Sequence, residues 1–286
     1  MAAIGRPHYI NIRNKASLPK DFNSFKEQGV AMISKAWLAG IRHFDTAPGY
    51  GYAEEMLLGF LKENSNKNLT ISSKWGYTYV ADFGNKTGLQ EEKEHSLAKL
   101  NEQWNYSQKL LPYLKLYQIH SVTPDSTVLE NESILQRLYE IKKEHGLDIG
   151  LSTSGDKQVS VIEKALKIII NEEQLFTSVQ CTYNVLDQSL SKIDKSLKAD
   201  FIIKEALANG RLLPNKRYPH YKKLYSYISS LALKYKVGED AILLRFCMDS
   251  FPSKYVLSGA SVMDHLEKNL KALTFSLNDE ELIKMK

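Results

Sequence analysis

Hydrophobic positions follow two alternating rhythms along this chain. Short runs rich in leucine, β-branched and aromatic residues alternate with longer stretches whose apolar residues return at helical spacing. The first rhythm is that of strands, the second that of amphipathic helices. Residues 41–62 show both. Positions 41–44 read as a strand after Gly40. The turn that follows carries Pro48, Gly49 and Gly51, and positions 53–62 set Met56, Leu57, Phe60 and Leu61 on one helical face. The same reading predicts strands at 1–5, 41–44, 69–75, 114–120, 147–151, 178–182, 201–204 and 255–257. It predicts helices at 25–39, 53–62, 89–104, 133–145, 156–170, 186–197, 221–235, 239–247 and 262–273, with a helical tail over 279–286.

Alternating strand and helix units predict a parallel sheet. Eight such units in 286 residues have the size of a closed (β/α)8 TIM barrel in the α/β class. No linker or low-complexity tract interrupts the pattern, so residues 1–286 are expected to form a single barrel domain. An open doubly wound sheet is the runner-up, but no Gly-x-Gly-x-x-Gly turn follows an early strand.

Composition narrows the function classes. The apolar fraction of 43% and charged fraction of 25% are those of an ordinary soluble protein. A net charge of +5 without a dense Lys/Arg block permits a phosphate-bearing ligand and does not imply nucleic acid. Cys181 and Cys247 have no metal or disulfide spacing and are expected to be buried thiols in a reducing compartment. Residues 1–10 lack the apolar core of a signal peptide, and the run Ile168-Ile169-Ile170 ends at Asn171. The expectation is a cytoplasmic protein without a membrane segment.

In a barrel, groups at the C-terminal ends of the strands meet at one mouth. The second strand ends in Asp45, with Tyr50 in its loop; the third ends in Lys74 and Trp75; the fourth ends in His120. Singly, each has a simple structural explanation. An aspartate caps helices, a lysine snorkels, and a histidine sits satisfied in a core. Together they make an acid–base site. A phenol near pKa ~10 exchanges protons poorly at neutral pH, and a neighbouring ammonium favours its phenolate. Asp45 can pair with Lys74, and His120 can hydrogen-bond a substrate oxygen or relay protons. Such a site donates a proton to a carbonyl oxygen or removes one from an alcohol.

These residues carry a resemblance. Gly40-Ile41-Arg42-His43-Phe44-Asp45-Thr46-Ala47 with Tyr50-Gly51, Ser73-Lys74, and Tyr117-Gln118-Ile119-His120-Ser121 resemble the signatures of the aldo-keto reductases. The stretch Ile203 through Leu212, and Val256-Leu257-Ser258-Gly259-Ala260-Ser261 with Leu266 and Asn269, resemble the branch of D-threo-aldose and L-galactose-type sugar dehydrogenases. The resemblance implies a barrel that transfers hydride between NAD(P)(H) and a small-molecule carbonyl, sugar lactol or alcohol. Tyr50 is then the general acid/base, tuned by Lys74 and Asp45, with His120 orienting the carbonyl. Tyr52 is a competing phenol, but the family's Asp-to-Tyr spacing selects Tyr50.

The resemblance also implies a cofactor path. Ser152, Thr153 and Gln180 fall where the nicotinamide carboxamide is held, with Thr153 in place of a frequent asparagine. Lys204 stands where an aromatic ring often stacks on the nicotinamide. Leu207, Asn209 and Arg211 fall where the loop approaches the pyrophosphate, and the Arg211 guanidinium suits that charge. Gly259, Ala260 and Ser261 precede a helix whose N-terminal amides favour phosphate. His265 lies on that helix, and Asn269 is placed for adenine. NADP is the expected cofactor, with NAD as the alternative, since an arginine is missing near His265. Tyr9 and Trp75 are candidate substrate-pocket residues, with His8, Tyr77 and Phe83 beside them. A monomer or homodimer is expected.

Two other classes compete. One is a non-catalytic nucleotide-sensing or interaction module on the same fold, with Lys204 and the short first strand as its support. The other is a metal-dependent hydrolase. No two of the seven histidines are close enough in sequence for a paired-ligand motif, so no metal site is expected.

Overall fold

A computed structural model describes residues 1–7, 21–63, 68–81, 88–153, 155–194 and 196–286. The strands are β1 (His43–Asp45), β2 (Thr70–Trp75), β3 (Tyr77–Tyr79), β4 (Glu91–Lys93), β5 (Leu114–Val122), β6 (Asp148–Thr153), β7 (Ile169–Ile170), β8 (Glu173–Gln174), β9 (Phe176–Thr182), β10 (Asp200–Lys204) and β11 (Tyr255–Val256). The helices are α1 (Ala2–Gly5), α2 (Phe22–Leu38), α3 (Ala53–Glu63), α4 (Leu97–Ser107), α5 (Glu132–His145), α6 (Gln158–Leu166), α7 (Lys222–Tyr235), α8 (Glu239–Ser250), α9 (Met263–Leu270) and α10 (Asp279–Met285).

Seven parallel strands form one sheet in the order β1-β2-β5-β6-β9-β10-β11. The sheet curls onto itself. Gln180 on β9 donates from Nε2 to Asp45 Oδ1 on β1 at 2.8 Å, although three strands separate their backbones. At the two edges, the His43 ring on β1 stacks on Tyr255 of β11, with centroids 4.3 Å apart. With helices outside, this is the TIM-barrel-like α/β architecture predicted from the alternation, with seven strands in the sheet where eight were expected and no ladder between β1 and β11 among the described residues.

Strand side chains alternate between two faces, and here the faces differ in chemistry. Asp45, Ser72, Lys74, Gln118, His120 and Gln180 share the inner face by their register and contacts. Phe44, Ile71, Tyr117, Ile119, Ile149 and Val179 alternate with them and join the apolar core under the helices. Gly150 makes room on the inner face. A Cβ there would lie 2.7 Å from the Ser178 carbonyl oxygen and 3.2 Å from Gln118 Cγ. Both cysteines are free and buried, as expected. Among the described residues no helix is long and apolar enough to cross a membrane.

Four predicted elements differ. Residues 1–5 are not a strand: Ala2–Gly5 form a helical turn, with Ile4 and Gly5 amides donating to the Met1 carbonyl (2.9 and 3.1 Å). Periodicity cannot separate a four-residue apolar helix from a strand, and Ala-Ala favours the helix. Over 89–104, β4 pairs with β3 as an antiparallel hairpin. The helix starts only after Ser96, whose hydroxyl accepts from the Lys99 amide at 3.1 Å. Over 186–197 there is a 3-10 turn at Ser189–Lys192. Asn184, Asp187 and Asp194 each bind a nearby backbone amide there, which competes with helix formation. The helix predicted to reach 170 ends at Leu166, and β7 turns back on β8 through Asn171 and Glu172, both at positive φ.

Glu54 was not singled out from sequence, yet it is buried on the helix side of β2. Its Oε1 accepts from Ser73 Oγ (2.5 Å) and Ser107 Oγ (2.8 Å). Burial raises its carboxyl to about 7 against a usual 4.5, with the two serine hydroxyls opposing. A raised carboxyl stabilises the fold when protonated. That contribution is complete below pH ~4.5 and is lost as pH rises through ~7, a swing of about 3 kcal/mol. Glu54→Gln should therefore gain on the parent protein between pH 5 and 8 by an amount of that order, measured by urea unfolding across the range. A constant difference between the two proteins would show that Glu54 does not titrate.

Candidate functional site

Asp45 ends β1, Lys74 lies one residue from the end of β2, and His120 lies near the end of β5. A 3-10 turn, Pro48–Tyr50, brings Tyr50 to the same mouth. Its proline pre-sets the first φ, and Gly51 at φ 65° supplies the left-handed exit. The Arg6 guanidinium holds the turn from outside, donating from Nε to the Gly49 carbonyl at 2.7 Å.

Lys74 is wholly buried. Its ammonium donates to Asp45 Oδ2 at 2.6 Å and to the Thr46 carbonyl at 3.1 Å. Asp45 Oδ1 accepts from Ser72 Oγ and Gln180 Nε2, each at 2.8 Å. Burial alone would raise the Asp45 carboxyl; the Lys74 ammonium leads the groups that outweigh it and hold it at about 2. Burial in turn lowers Lys74, with Asp45 opposing. Lys74 Nζ stands 4.7 Å from the Tyr50 ring centroid. The His120 ring meets Tyr50 edge-on, with centroids 5.4 Å apart and planes at 86°. The four residues predicted to meet do so.

Burial, and then the Lys74 charge, hold His120 well below the usual imidazole range, so the ring is neutral. Among the described residues nothing partners its buried Nδ1. An orphaned N–H costs more than an orphaned lone pair on an imidazole, because the donor loses its water. The single proton is therefore placed on Nε2, from which it can be donated to an oxygen.

Ser152 and Gln180 are register partners on β6 and β9. Ser152 Oγ accepts from the Ser121 amide (2.8 Å) and keeps its own O–H to give. Gln180 spends one N–H on Asp45 and keeps its amide oxygen. One free donor beside one free acceptor fits a primary carboxamide, as on nicotinamide. Thr153 does not join them. It falls on the helix-facing side of β6, and its hydroxyl donates to the Val122 carbonyl at 2.8 Å. Trp75 is turned away as well, one residue past Lys74 and so on the outer face, fully buried against His95 (5.6 Å between centroids). Tyr9, His8 and Phe83 lie outside the described residues.

Lys204 stays at the mouth but is tethered, donating to Thr182 Oγ1 and Glu205 Oε1 at 3.1 Å each. Leu207, Asn209 and Arg211 follow in a tight loop with Asn209 at φ 54°. Arg211 is exposed; its Nε donates only to the Ala208 carbonyl at 3.2 Å, and it has no ion pair among the described residues. No Asp or Glu occurs from 206 to 238, a stretch that holds Arg211, Lys216, Arg217, Lys222 and Lys223. This surface complements phosphate. Gly259 is open, with nothing within 4 Å of a would-be Cβ. Ala260 already gives its amide to Ser258 Oγ (3.2 Å), and Ser261 is half-buried beside it. His265 is exposed on α9, and Asn269 is buried beneath, hydrogen-bonded to Ser258 Oγ at 2.8 Å.

The partners of this site differ in how far the sequence announces them. Ser72 was legible, because it shares a face with Lys74 two residues on. The bond from Gln180 to Asp45 spans 135 residues of sequence, and no local pattern announces it. Nor did any local signal point to His95 and Lys93, which grip the backbone around His120.

A match described as the aldo/keto reductase family spans residues 19–286. A probable aldo-keto reductase of Glycine max is 22% identical over 288 residues, covering 90% of this chain and 78% of that protein. Among solved structures, a glycerol dehydrogenase from Gluconobacter oxydans matches with a TM-score of 0.73 at 20% identity, over 99% of this chain and 88% of that one. A thermostable aldo-keto reductase solved with the inhibitor epalrestat matches with a TM-score of 0.68 at 22% identity, over 93% of this chain and 88% of that one. These structural likenesses establish the fold.

Removing one member of the buried pair should be severe. Asp45→Asn leaves the Lys74 ammonium without its counter-charge and should destabilise the protein by about 3–5 kcal/mol, read by urea unfolding at pH 7. Asp45 is depressed from 3.8 to about 2. Its stabilising contribution is thus intact above pH ~4 and lost as pH falls toward 2. The parent protein should show that acid loss and the variant should lack it.

Proposed function

The chain belongs to the aldo/keto reductase family, enzymes that use a nicotinamide cofactor on carbonyl substrates, and on that premise we propose that Tyr50 is its proton donor and acceptor. What supports this is the wholly buried Lys74 ammonium, paired with Asp45 and 4.7 Å from the Tyr50 ring centroid, with His120 at the edge of the same ring. The substrate class proposed is a small carbonyl compound or, in reverse, a sugar lactol or other alcohol. The polar inner face and the Tyr77 ring, 4.7 Å from that of His120, suit a hydroxylated substrate.

In reduction, His120 Nε2–H donates to the carbonyl oxygen and fixes its direction. The Tyr50 O–H passes its proton to that oxygen as negative charge builds there. The phenolate left behind is stabilised by Lys74, whose charge acts strongly because water is excluded around it. Asp45 keeps Lys74 charged and in place, and Ser72 and Gln180 keep Asp45 aimed. Solvent then returns a proton to Tyr50. In oxidation the phenolate takes the alcohol proton. The nicotinamide, when bound, supplies or accepts the hydride.

Ser152 and Gln180 would hold the carboxamide of the nicotinamide. Lys204 would lie beside the ring, Arg211 would pair with the pyrophosphate, and Leu207 and Asn209 would shape its loop. The segment Gly259-Ala260-Ser261, with His265 and Asn269, would hold the adenosine end. The acid-free basic stretch around Arg211 favours NADP over NAD. The single barrel domain over 1–286, the monomeric or homodimeric state and the cytoplasmic location are part of the same proposal.

Tyr50→Phe should lower turnover by at least about 100-fold, the usual contribution of a positioned acid, with cofactor affinity unchanged in a fluorescence titration. Unchanged turnover would overturn the assignment. In that titration the parent protein should bind NADPH more tightly than NADH; equal affinities would remove the NADP preference and leave the proton chemistry standing.

A further inference from the structure

We propose that the β3–β4 hairpin and the link after it clamp the backbone of His120, with His95 and Lys93 as positioning residues for the reaction. This rests on the reading of Tyr50 and His120 given above. The clamp answers a break in the sheet. The β5–β6 ladder slips between Ile119 and Val122, and Ser121 takes a left-handed φ of 50°, uncommon for a non-glycine residue. Backbone groups need partners, and those released here are half-buried at His120 and the Ser121 amide and more open at the Ser121 carbonyl. Where the ladder fails, side chains take over. His95 Nε2 meets the His120 carbonyl at 2.8 Å, Lys93 Nζ donates to the Ser121 carbonyl at 2.9 Å, and Ser152 Oγ accepts from the Ser121 amide at 2.8 Å. Two of the three come from residues 93–95.

The chemistry of His95 makes its bond directional. A carbonyl only accepts, so the proton of His95 is on Nε2, and Nδ1 must accept from the Ser126 hydroxyl at 2.9 Å. Burial lowers its pKa to about 4, so the neutral tautomer persists at working pH. The ring is seated closely. Trp75 packs on it at 5.6 Å, and a Cβ on Gly76 would come within 2.3 Å of His95 Cδ2. The hairpin touches His120 a second time through the Tyr77 ring at 4.7 Å. The direction of Nε2–H on His120 is thus fixed by its backbone on one side and by Tyr77 on the other.

The test compares His95→Leu, His95→Gln, Lys93→Met and Tyr50→Phe. DL-glyceraldehyde and benzaldehyde serve as probes with NADPH, and histidine ring-nitrogen NMR serves as a second readout, with His120→Asn assigning the His120 signals. His95→Leu should lower kcat by up to about 100-fold, the scale of a misplacement of about an ångström, with KM within about twofold. Glutamine can place its amide N–H where His95 Nε2–H lies, so His95→Gln should recover most of the loss. Lys93→Met should show a smaller fall in kcat. By NMR, His120 should be the Nε2–H tautomer in the parent and in His95→Gln, and tautomer-averaged in His95→Leu. Equal losses in the leucine and glutamine variants, or a His120 signal unmoved in His95→Leu, would overturn the clamp. An active Tyr50→Phe would instead overturn the reading of the site on which it rests. Where neither probe is turned over, the NMR comparison decides.

Discussion

Lys74 carries a full charge at a position with no exposure to solvent, and much of the barrel interior is organised by that demand. An ammonium in such a place needs a counter-charge with good geometry and further acceptors. Asp45 and the Thr46 carbonyl meet it directly, at 2.6 and 3.1 Å. Asp45 then needs its own donors, which come from Ser72 on the neighbouring strand and Gln180 across the barrel. The pair and its partners thus tie β1, β2 and β9 together. Its arrangement also sets an ammonium against the Tyr50 ring, so the atoms that satisfy the buried charge are the same ones to which the proposed proton chemistry is assigned.

The two faces of the sheet divide the labour. The outer face is apolar and anchors the helices. The inner face is polar and offers groups to a ligand at the mouth. Three features cross this division. Glu54 is a buried carboxyl on the helix side, tolerated because two serines donate to it. Trp75 and Thr153 lie near the mouth in sequence but on the outer face in space, and so belong to the packing. The kink at Ser121 is where the sheet gives up backbone pairing next to His120, and His95 and Lys93 of the β3–β4 region bond the carbonyls left over.

Much of this was legible before folding. The alternation of strand and helix periods placed all seven strands of the sheet nearly at their observed bounds. Strand-end positions marked Asp45, Tyr50, Lys74 and His120, since parallel strands in a barrel deliver their C-terminal ends to one mouth. Local chemistry misled where a short signal was ambiguous. Four apolar residues in 1–5 made a helical turn. Asn184, Asp187 and Asp194 bound their own backbone in place of a helix, and the Ser96 cap that splits 89–104 was passed over.

What the sequence alone determined was periodicity and residue type: which segments could be strands, which side chains share a face, and which chemistry those side chains can perform. Those follow from local geometry, two residues per repeat in a strand and three to four in a helix. What the tertiary structure decided were the pairings across the barrel and the side on which a strand-end residue falls. The bond from Gln180 to Asp45, the outward turn of Trp75 and Thr153, and the grip of His95 on His120 all depend on the curl and register of the sheet. These are set by packing summed over the whole chain, and no single stretch of sequence contains them.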